Sequence, residues 1–272
     1  MLPNKFFPNP RYNRMKHEGD LFNARKSFLK EKNNNLNFLL KTRYGWIEKH
    51  IDNYISNTDN KYPRIIELGC GCGFIKFFSK KKIILTDVNK YKWVDFSTRA
   101  EDLKKIKNNS TDILILSHMF HHIKNISLFF RNAIRVLKKD GIIIIHDPEL
   151  SFTLKLAIYL MKHEGYDIIA NPYYNFKGYK KANPWAANVA YAKLVFSDEE
   201  KFKKKFPSLK IIENSLAEFF IFVLSGGVVA KTFKIELPKF LLYLFHYLDI
   251  FLVALLPSIF PWTRRVVIKK KR

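Results

Sequence analysis

Cysteine is nearly missing from this chain: two occur in 272 residues, Cys70 and Cys72, one residue apart. Such a pair excludes a disulfide framework and suits a reducing compartment. Acidic residues are also in deficit, 24 against 48 Lys and Arg, for a formal charge of +24. Arginine is scarce beside lysine, which argues against dense bidentate reading of bases. The charge has two readings. It attracts an anionic partner, nucleic acid or a lipid surface, or it reflects a Lys/Asn/Ile/Phe bias of the kind an AT-rich genome imposes. The lysines are scattered rather than clustered, which favours the second. The start, "MLPNKFFPNPRYNRMKHEGD", has no apolar h-region, so no secretory leader is expected.

Apolar residues make up 47% of the chain and aromatics 15%, enough for a core without staples. Residues 1–20 read as an irregular arm. Residues 22–55 read as two helices broken at Asn33–Asn35, with Leu36, Leu39, Leu40, Trp46 and Ile47 as apolar positions. Short β-rich runs follow: "RIIEL" (64–68), "KIILTDV" (82–88), a weaker "KWVDFS" (92–97), "DILILS" (112–117) and "GIIIIHD" (141–147). Continuous Ile/Leu/Val runs indicate strands covered on both faces. An amphipathic helix over 125–141 separates the last two, so strand and helix alternate as in a doubly wound α/β domain. "SDEEKFKKKFP" (197–207) predicts a helix capped by Ser197. "LKIIENS" and "RRVVIKKK" supply two further strands.

The stretch "IELGCGCGF" sets Gly69, Gly71 and Gly73 directly behind a strand. A glycine turn there lets backbone approach a ligand. The dinucleotide fingerprint needs glycine where Phe74 stands, and no Gly-Lys-Ser/Thr of a P-loop is present. A metal site built on Cys70 and Cys72 with His121 and His122 lacks the usual C-x₂₋₄-C spacing, so the cysteines read as small loop filler and no metal is expected. Asp87 ends the second strand twenty residues after Glu67; ionised, it can accept from both hydroxyls of a ribose.

Five ordered elements, "IELGCGCGF", "LTDV", "TRAEDL", "TDILILSHMFHHI" and "LKKDGIIIIHDP", resemble class I S-adenosylmethionine-dependent methyltransferases, with a type 11-like domain. The resemblance covers about residues 64–147. It implies a seven-stranded, mostly parallel sheet with S-adenosyl-L-methionine as cofactor. It implies cofactor contacts from Glu67, Gly69, Cys70, Gly71, Gly73, Asp87, Val88, Arg99, Ala100, Glu101 and Ser117. Arg99 stands before Ala100 where the family carries an acid, so the adenine amine would fall to Glu101. Only about a dozen residues separate Asp87 from Ala100, so the helix usual there is cut to a turn.

Candidates for a base that activates a hydroxyl acceptor stand at strand ends: His118, His146 and Asp147. Helix capping and packing are the plainer reading of His121 and His122. The segment 171–196, with Tyr173, Tyr174, Tyr179, Trp185, Asn183 and Asn188, is expected to form part of the acceptor pocket.

The second informative stretch is "KFLLYLFHYLDIFLVALLPSIFPW" (239–262). As a helix it carries one narrow polar stripe, Lys239, Tyr243, His246 and Asp249, with all else apolar. His246, Asp249 and Pro257 argue against a simple span, and a span would bar "RRVVIKKK" from returning to the sheet. The expectation is an insertion between the last two strands that lies on a membrane surface, with Lys231, Lys234, Lys239, Arg264, Arg265 and residues 269–272 facing anionic headgroups. A true span and a protein-buried or dimer-forming helix are the alternatives.

The expected organisation is an N-terminal arm and helices (1–60), a cofactor core (61–150), an acceptor-side region ending the sheet (151–227) and an apolar insertion with the final strand (228–272). The expected protein is cytoplasmic and peripheral on the inner face of a membrane, and methylates a lipid, lipid-linked glycan or envelope sugar precursor. A soluble small-molecule or nucleic-acid methyltransferase and a non-catalytic cofactor-binding scaffold are the alternatives.

Overall fold

The structure is a computed structural model and describes residues 2–8, 20–30, 33–58, 60–162, 164–174, 187–229 and 232–271. The strands are β1 (Lys5–Phe6), β2 (Ile65–Leu68), β3 (Ile83–Asp87), β4 (Phe96–Ser97), β5 (Thr111–Ser117), β6 (Leu137–Pro148), β7 (Tyr166–Asp167), β8 (Leu209–Ala217) and β9 (Thr263–Lys270). The helices are α1 (Leu21–Lys30), α2 (Asn34–Ser56), α3 (Ile75–Phe78), α4 (Ile126–Val136), α5 (Phe152–Met161), α6 (Tyr191–Phe196), α7 (Glu199–Lys205), α8 (Phe220–Leu224) and α9 (Lys239–Leu255).

Seven strands form one sheet in the order β4-β3-β2-β5-β6-β9-β8. The first five run parallel, and β9 pairs antiparallel with both β6 and β8. Alternate residues explain the unbroken apolar runs. Ile113, Ile115, Ile142, Ile144 and Val267 face a core shared with α1 and α2. Leu114, Leu116, Ile143, Ile145, Val266 and Ile268 face the opposite core, shared with α4, α6 and α7. Both faces are covered, as an all-apolar parallel strand requires. A separate two-stranded ribbon pairs β1 with β7.

Local chemistry sets the element ends. Asn125 caps α4 by accepting from Leu128 N–H at 2.8 Å, and Ser151 caps α5 by accepting from Leu154 N–H at 3.3 Å. Helix α4 stops at Val136, earlier than its sequence pattern suggests, because Leu137 is already extended and pairs with Thr111 in the sheet. The cap of α7 is Asp198, not Ser197: its carboxylate accepts from Lys201 N–H at 2.9 Å. Among the described residues no helix lies between Asp87 and Phe96, as the short spacing implies.

Between β8 and β9 the chain forms α8, a strap and α9. Helix α9 ends at Leu255, so residues 256–262 with their two prolines are not helical. The C-terminal half of its polar stripe turns inward, while Lys239 and Tyr243 stay exposed. Asp249 is buried and accepts N–H bonds from Phe219 (3.0 Å), Phe220 (2.6 Å) and Ile221 (3.1 Å) at the start of α8. Tyr243 and His246 pack on Phe38 of α2. Phe240, Leu244, Tyr247, Phe251 and Leu255, spaced four, three, four and four apart, are exposed. Asn35 of α2 ties the strap down, donating to the Leu224 and Ile235 carbonyls and accepting from Leu237 N–H.

Candidate active site

The turn after β2 is built on three left-handed backbone positions: Gly69 (φ +63°), Gly71 (+50°) and Gly73 (+62°). A side chain would be strained at each. At Gly69 it would also strike Met119, and at Gly73 it would come within 2.8 Å of Trp93. The turn is pinned to the next strand by Cys70 N–H donating to Thr86 O at 2.9 Å. Cys70 and Cys72 are buried and form no disulfide, and burial, with Glu67 and Asp87 nearby, pushes the Cys70 thiol up.

Asp87, at the end of β3, accepts from Gly71 N–H at 3.1 Å and from Asn89 N–H at 3.0 Å. Glu67, on the middle strand β2, is 1% exposed, and its Oε2 has no hydrogen-bond partner among the described residues. Burial first, then the neighbouring Asp87 charge, raises its pKa from 4.5 to about 8. A buried carboxyl with one open oxygen is the arrangement a cationic ligand would satisfy.

Residues that the sequence did not single out complete this cradle. Arg25 of α1 donates to the Cys72 carbonyl and lies between Phe77 and Trp93, 4.7 Å from each ring centre. Trp93 donates to Gly71 O at 2.8 Å and stacks on Tyr91. The N-terminal helices therefore hold one side of the turn. An Arg–aromatic–glycine arrangement spread over positions 25, 71 and 93 leaves no local motif to read.

On the other side, Ala100 is buried. Glu101 accepts from Lys124 N–H at 3.1 Å and lies 3.7 Å from Arg99 Nε. Val88 is exposed beside Asp87, and Ser117 ends β5 half-buried.

Residues 39–194 match the family model of a methyltransferase domain. The chain belongs to this methyltransferase family. Its domain is of the S-adenosylmethionine-dependent kind, and the glycine turn, Glu67 and Asp87 fit that cofactor: glycine backbone without side chains, an open buried carboxylate, and an acid ending the adjacent strand. The methyltransferase is similar in fold to a SAM-dependent methyltransferase from Thermotoga maritima (14% identity, 92% of this chain and 95% of that one, TM-score 0.48). One from Archaeoglobus fulgidus gives 17% identity, 86% and 93% coverage and a TM-score of 0.45. The trans-methyltransferase CalH, solved with SAH, gives 14%, 91% and 62%, and 0.46. No curated protein matches the sequence significantly.

The three strand-end candidates have different surroundings. Asp147 is buried and accepts from Phe120 N–H (3.0 Å), His121 N–H (3.1 Å) and His121 Nδ1 (2.9 Å), so it organises the loop after β5. His146 Nε2 lies 3.2 Å from Glu218, and burial brings the His146 pKa down to about 4 despite that carboxylate. Glu218 is gripped by Arg43 through two nitrogens (2.7 and 3.0 Å) and by Thr263 Oγ1 (2.8 Å). His118 follows β5 with φ +51°. Its Nε2 is buried without a hydrogen-bond partner among the described residues. Burial, then Arg43 and His146, hold its pKa well below 6.5.

Of the acceptor-side residues expected from sequence, Tyr179, Asn183 and Trp185 lie outside the described residues. Asn188 is fully buried, bonding Asp167 through N–H and carbonyl alike, and is architectural rather than pocket-lining. Tyr173 is buried near Phe206, and Tyr174 is exposed.

Proposed function

We propose that this methyltransferase works at a lipid surface, on a lipid, lipid-linked glycan or envelope sugar precursor. The observation that carries the reading is the outer face of α9. Phe240, Leu244, Tyr247, Phe251 and Leu255 form one exposed apolar stripe, and Phe233 and Ile235 of the preceding strap are exposed as well. Contiguous apolar faces of this kind mark interaction sites. The helix that bears it turns its one carboxylate inward, which leaves an outer face without acidic charge to meet an acyl boundary. Of the basic residues expected to face headgroups, Lys239 is exposed, whereas Arg264 is buried on Glu149 and Arg265 turns to Glu218, so the apolar face rather than the charge supports the reading. No helix of the described residues is long and apolar enough to cross a membrane; the attachment proposed is interfacial.

In this reading Glu67 and the Gly69–Gly73 backbone hold the aminoacyl part of S-adenosylmethionine, with Cys70 as part of that turn. Asp87 takes the ribose hydroxyls, with Val88 beside it, and Ala100 and Glu101 meet the adenine. Arg99 steadies Glu101, and Ser117 lines the same site. The cofactor supplies an electrophilic methyl on a sulfonium sulfur. The protein's task is to orient the acceptor and exclude water. His118 is the candidate base: burial keeps it neutral near pH 7, so one ring nitrogen carries a lone pair, and a bound acceptor would have to offset the burial and the Arg43 charge that oppose its protonation. His118→Gln should lower kcat by roughly 10²–10⁴-fold with cofactor affinity unchanged; an unaltered kcat removes His118 from this role.

Flotation on vesicles of phosphatidylglycerol and phosphatidylethanolamine tests the surface. The full chain should rise with the vesicles, and Leu244→Ser with Phe251→Ser, both at exposed positions, should leave it at the bottom. A full chain that stays at the bottom, or a variant that floats equally well, overturns the reading. Labelled methyl recovered in a lipid extract identifies the acceptor class.

A further inference from the structure

Beside the cofactor cradle, three side chains converge without a role in the scheme above. We propose that His121, His122 and Glu164 form a binding site for a divalent transition-metal ion of the Zn²⁺ class. His121 Nε2 lies 3.5 Å from Glu164 Oε1, and His122 Nε2 lies 3.8 Å from the same oxygen. The three donor atoms are all within 4.8 Å of one another. Tetrahedral zinc with Zn–N near 2.0–2.1 Å sets its ligand atoms roughly 3.3 Å apart. The two distances to Glu164 are within about half an ångström of that edge, and the longest separation, up to 4.8 Å, closes by a movement of about 1.5 Å that rotation of the partly exposed His122 side chain supplies.

The second observation is the buried carboxylate behind the first ligand. Asp147 Oδ1 receives the His121 Nδ1–H at 2.9 Å, and the same carboxylate is fixed by two backbone N–H groups. That contact keeps the proton on Nδ1 and fixes the ring so that Nε2, the atom that faces Glu164, is the one a metal would take on displacing its proton. Metal-ligating histidines commonly carry such a carboxylate on the other ring nitrogen, which sets the tautomer and raises ligand basicity. Two imidazoles and one carboxylate select zinc, cobalt or nickel over magnesium or calcium, which prefer oxygen alone. The His122 and Glu164 side chains are 23% and 16% exposed, so the cluster can be reached from solvent.

The position gives the ion a task. His121 and His122 belong to the loop after β5, Asp147 ends β6, and Glu164 precedes β7. Asn188 N–H donates to His121 O and Val189 N–H to Gly165 O, both at 3.0 Å. A metal at this point clamps the acceptor-side segment to the ends of the sheet strands. It also revises the sequence reading, which considered His121 and His122 as ligands only in company with the two cysteines.

Cobalt(II) titration of the full, untagged chain, freed of metal by chelation, tests the proposal. One equivalent should give the visible d–d absorption of a four- or five-coordinate cobalt site, and zinc should displace it. His122→Ala and Glu164→Gln should each weaken cobalt at least tenfold. Both positions are partly exposed, so thermal unfolding and S-adenosylhomocysteine affinity should stay at the wild-type values and show that the variants are folded. An absent cobalt spectrum, or an unchanged titration in the double variant, overturns the site and leaves the cluster an ion-pair network. The readout is metal binding, so it stands apart from whether a lipid accepts the methyl.

Discussion

Two buried glutamates show how differently this fold treats the same side chain. Glu218 is wrapped: Arg43 holds it from two nitrogens, Thr263 donates to it, and His146 stands 3.2 Å away. Burial alone would raise its pKa, but Arg43 and His146 outweigh that and hold it well below 4.5. Glu67 has one open oxygen, and the Lys76 charge offsets too little of its burial and of the Asp87 charge, so its pKa rises to about 8. A saturated buried carboxylate is architecture, because its partners already repay its desolvation. An unsaturated one, in a cradle of left-handed glycines, is an unmet requirement that a ligand fulfils.

The comparison is broken most severely by removing a Glu218 partner. Arg43→Ala leaves a buried charge underpaired and should cost about 3–5 kcal/mol. Thermal unfolding should show the loss; a variant as stable as the wild type would mean that Glu218 is as tolerant as Glu67. Asp249 is a milder case of the saturated kind, satisfied by three N–H groups of α8. Asp249→Ala should cost about 1–3 kcal/mol, since those donors lose their acceptor. It should also loosen α9, read as faster proteolysis between β8 and β9. Unchanged stability and unchanged cleavage would show that the helix is held by apolar contact alone.

How much of this was legible follows from the range of the interactions. The core strands could be read because both sheet faces need apolar residues at every position, and Glu67, the glycines and Asp87 because they sit within one strand–turn–strand unit. The polarity of α9 could be read as a stripe, but its direction could not. A stripe facing water and a stripe facing α8 have the same spacing, and only the backbone N–H groups of residues 219–221 decide between them. Arg43 and Glu218 are separated by 175 positions, and Arg25 reaches the glycine turn from 47 positions away. Pairs like these are created by the fold and leave no local pattern. Ser197 and Asp198 show the smallest scale of error: both are good caps, and the structure places the second where its carboxylate meets the Lys201 amide.

Glu67 gives the sharpest test, because a single substitution should move stability and binding in opposite directions. In the cofactor-free chain its folded pKa is raised from 4.5 to about 8. The folded state then binds more protons than the unfolded state between those values, so stability falls as pH rises through that window and stays lowered above it. Glu67→Gln removes the charge that must be buried, and should raise the melting temperature of the cofactor-free chain at about pH 8. The same change takes away the partner for a cofactor ammonium and should weaken S-adenosylhomocysteine by about tenfold or more, roughly 1.4 kcal/mol. Binding of a cation lowers the Glu67 pKa and expels its proton, so wild-type affinity should climb toward pH 8 by at most about tenfold per unit, then level off. The ligand's own amine titrates in both proteins, so the difference between wild type and Glu67→Gln isolates the carboxyl. Calorimetry in buffers of different ionisation enthalpy counts the proton directly. A wild-type chain that releases no more protons than Glu67→Gln would mean that Glu67 is simply a buried acid, neutral before and after binding, and the contrast with Glu218 would lose its functional meaning.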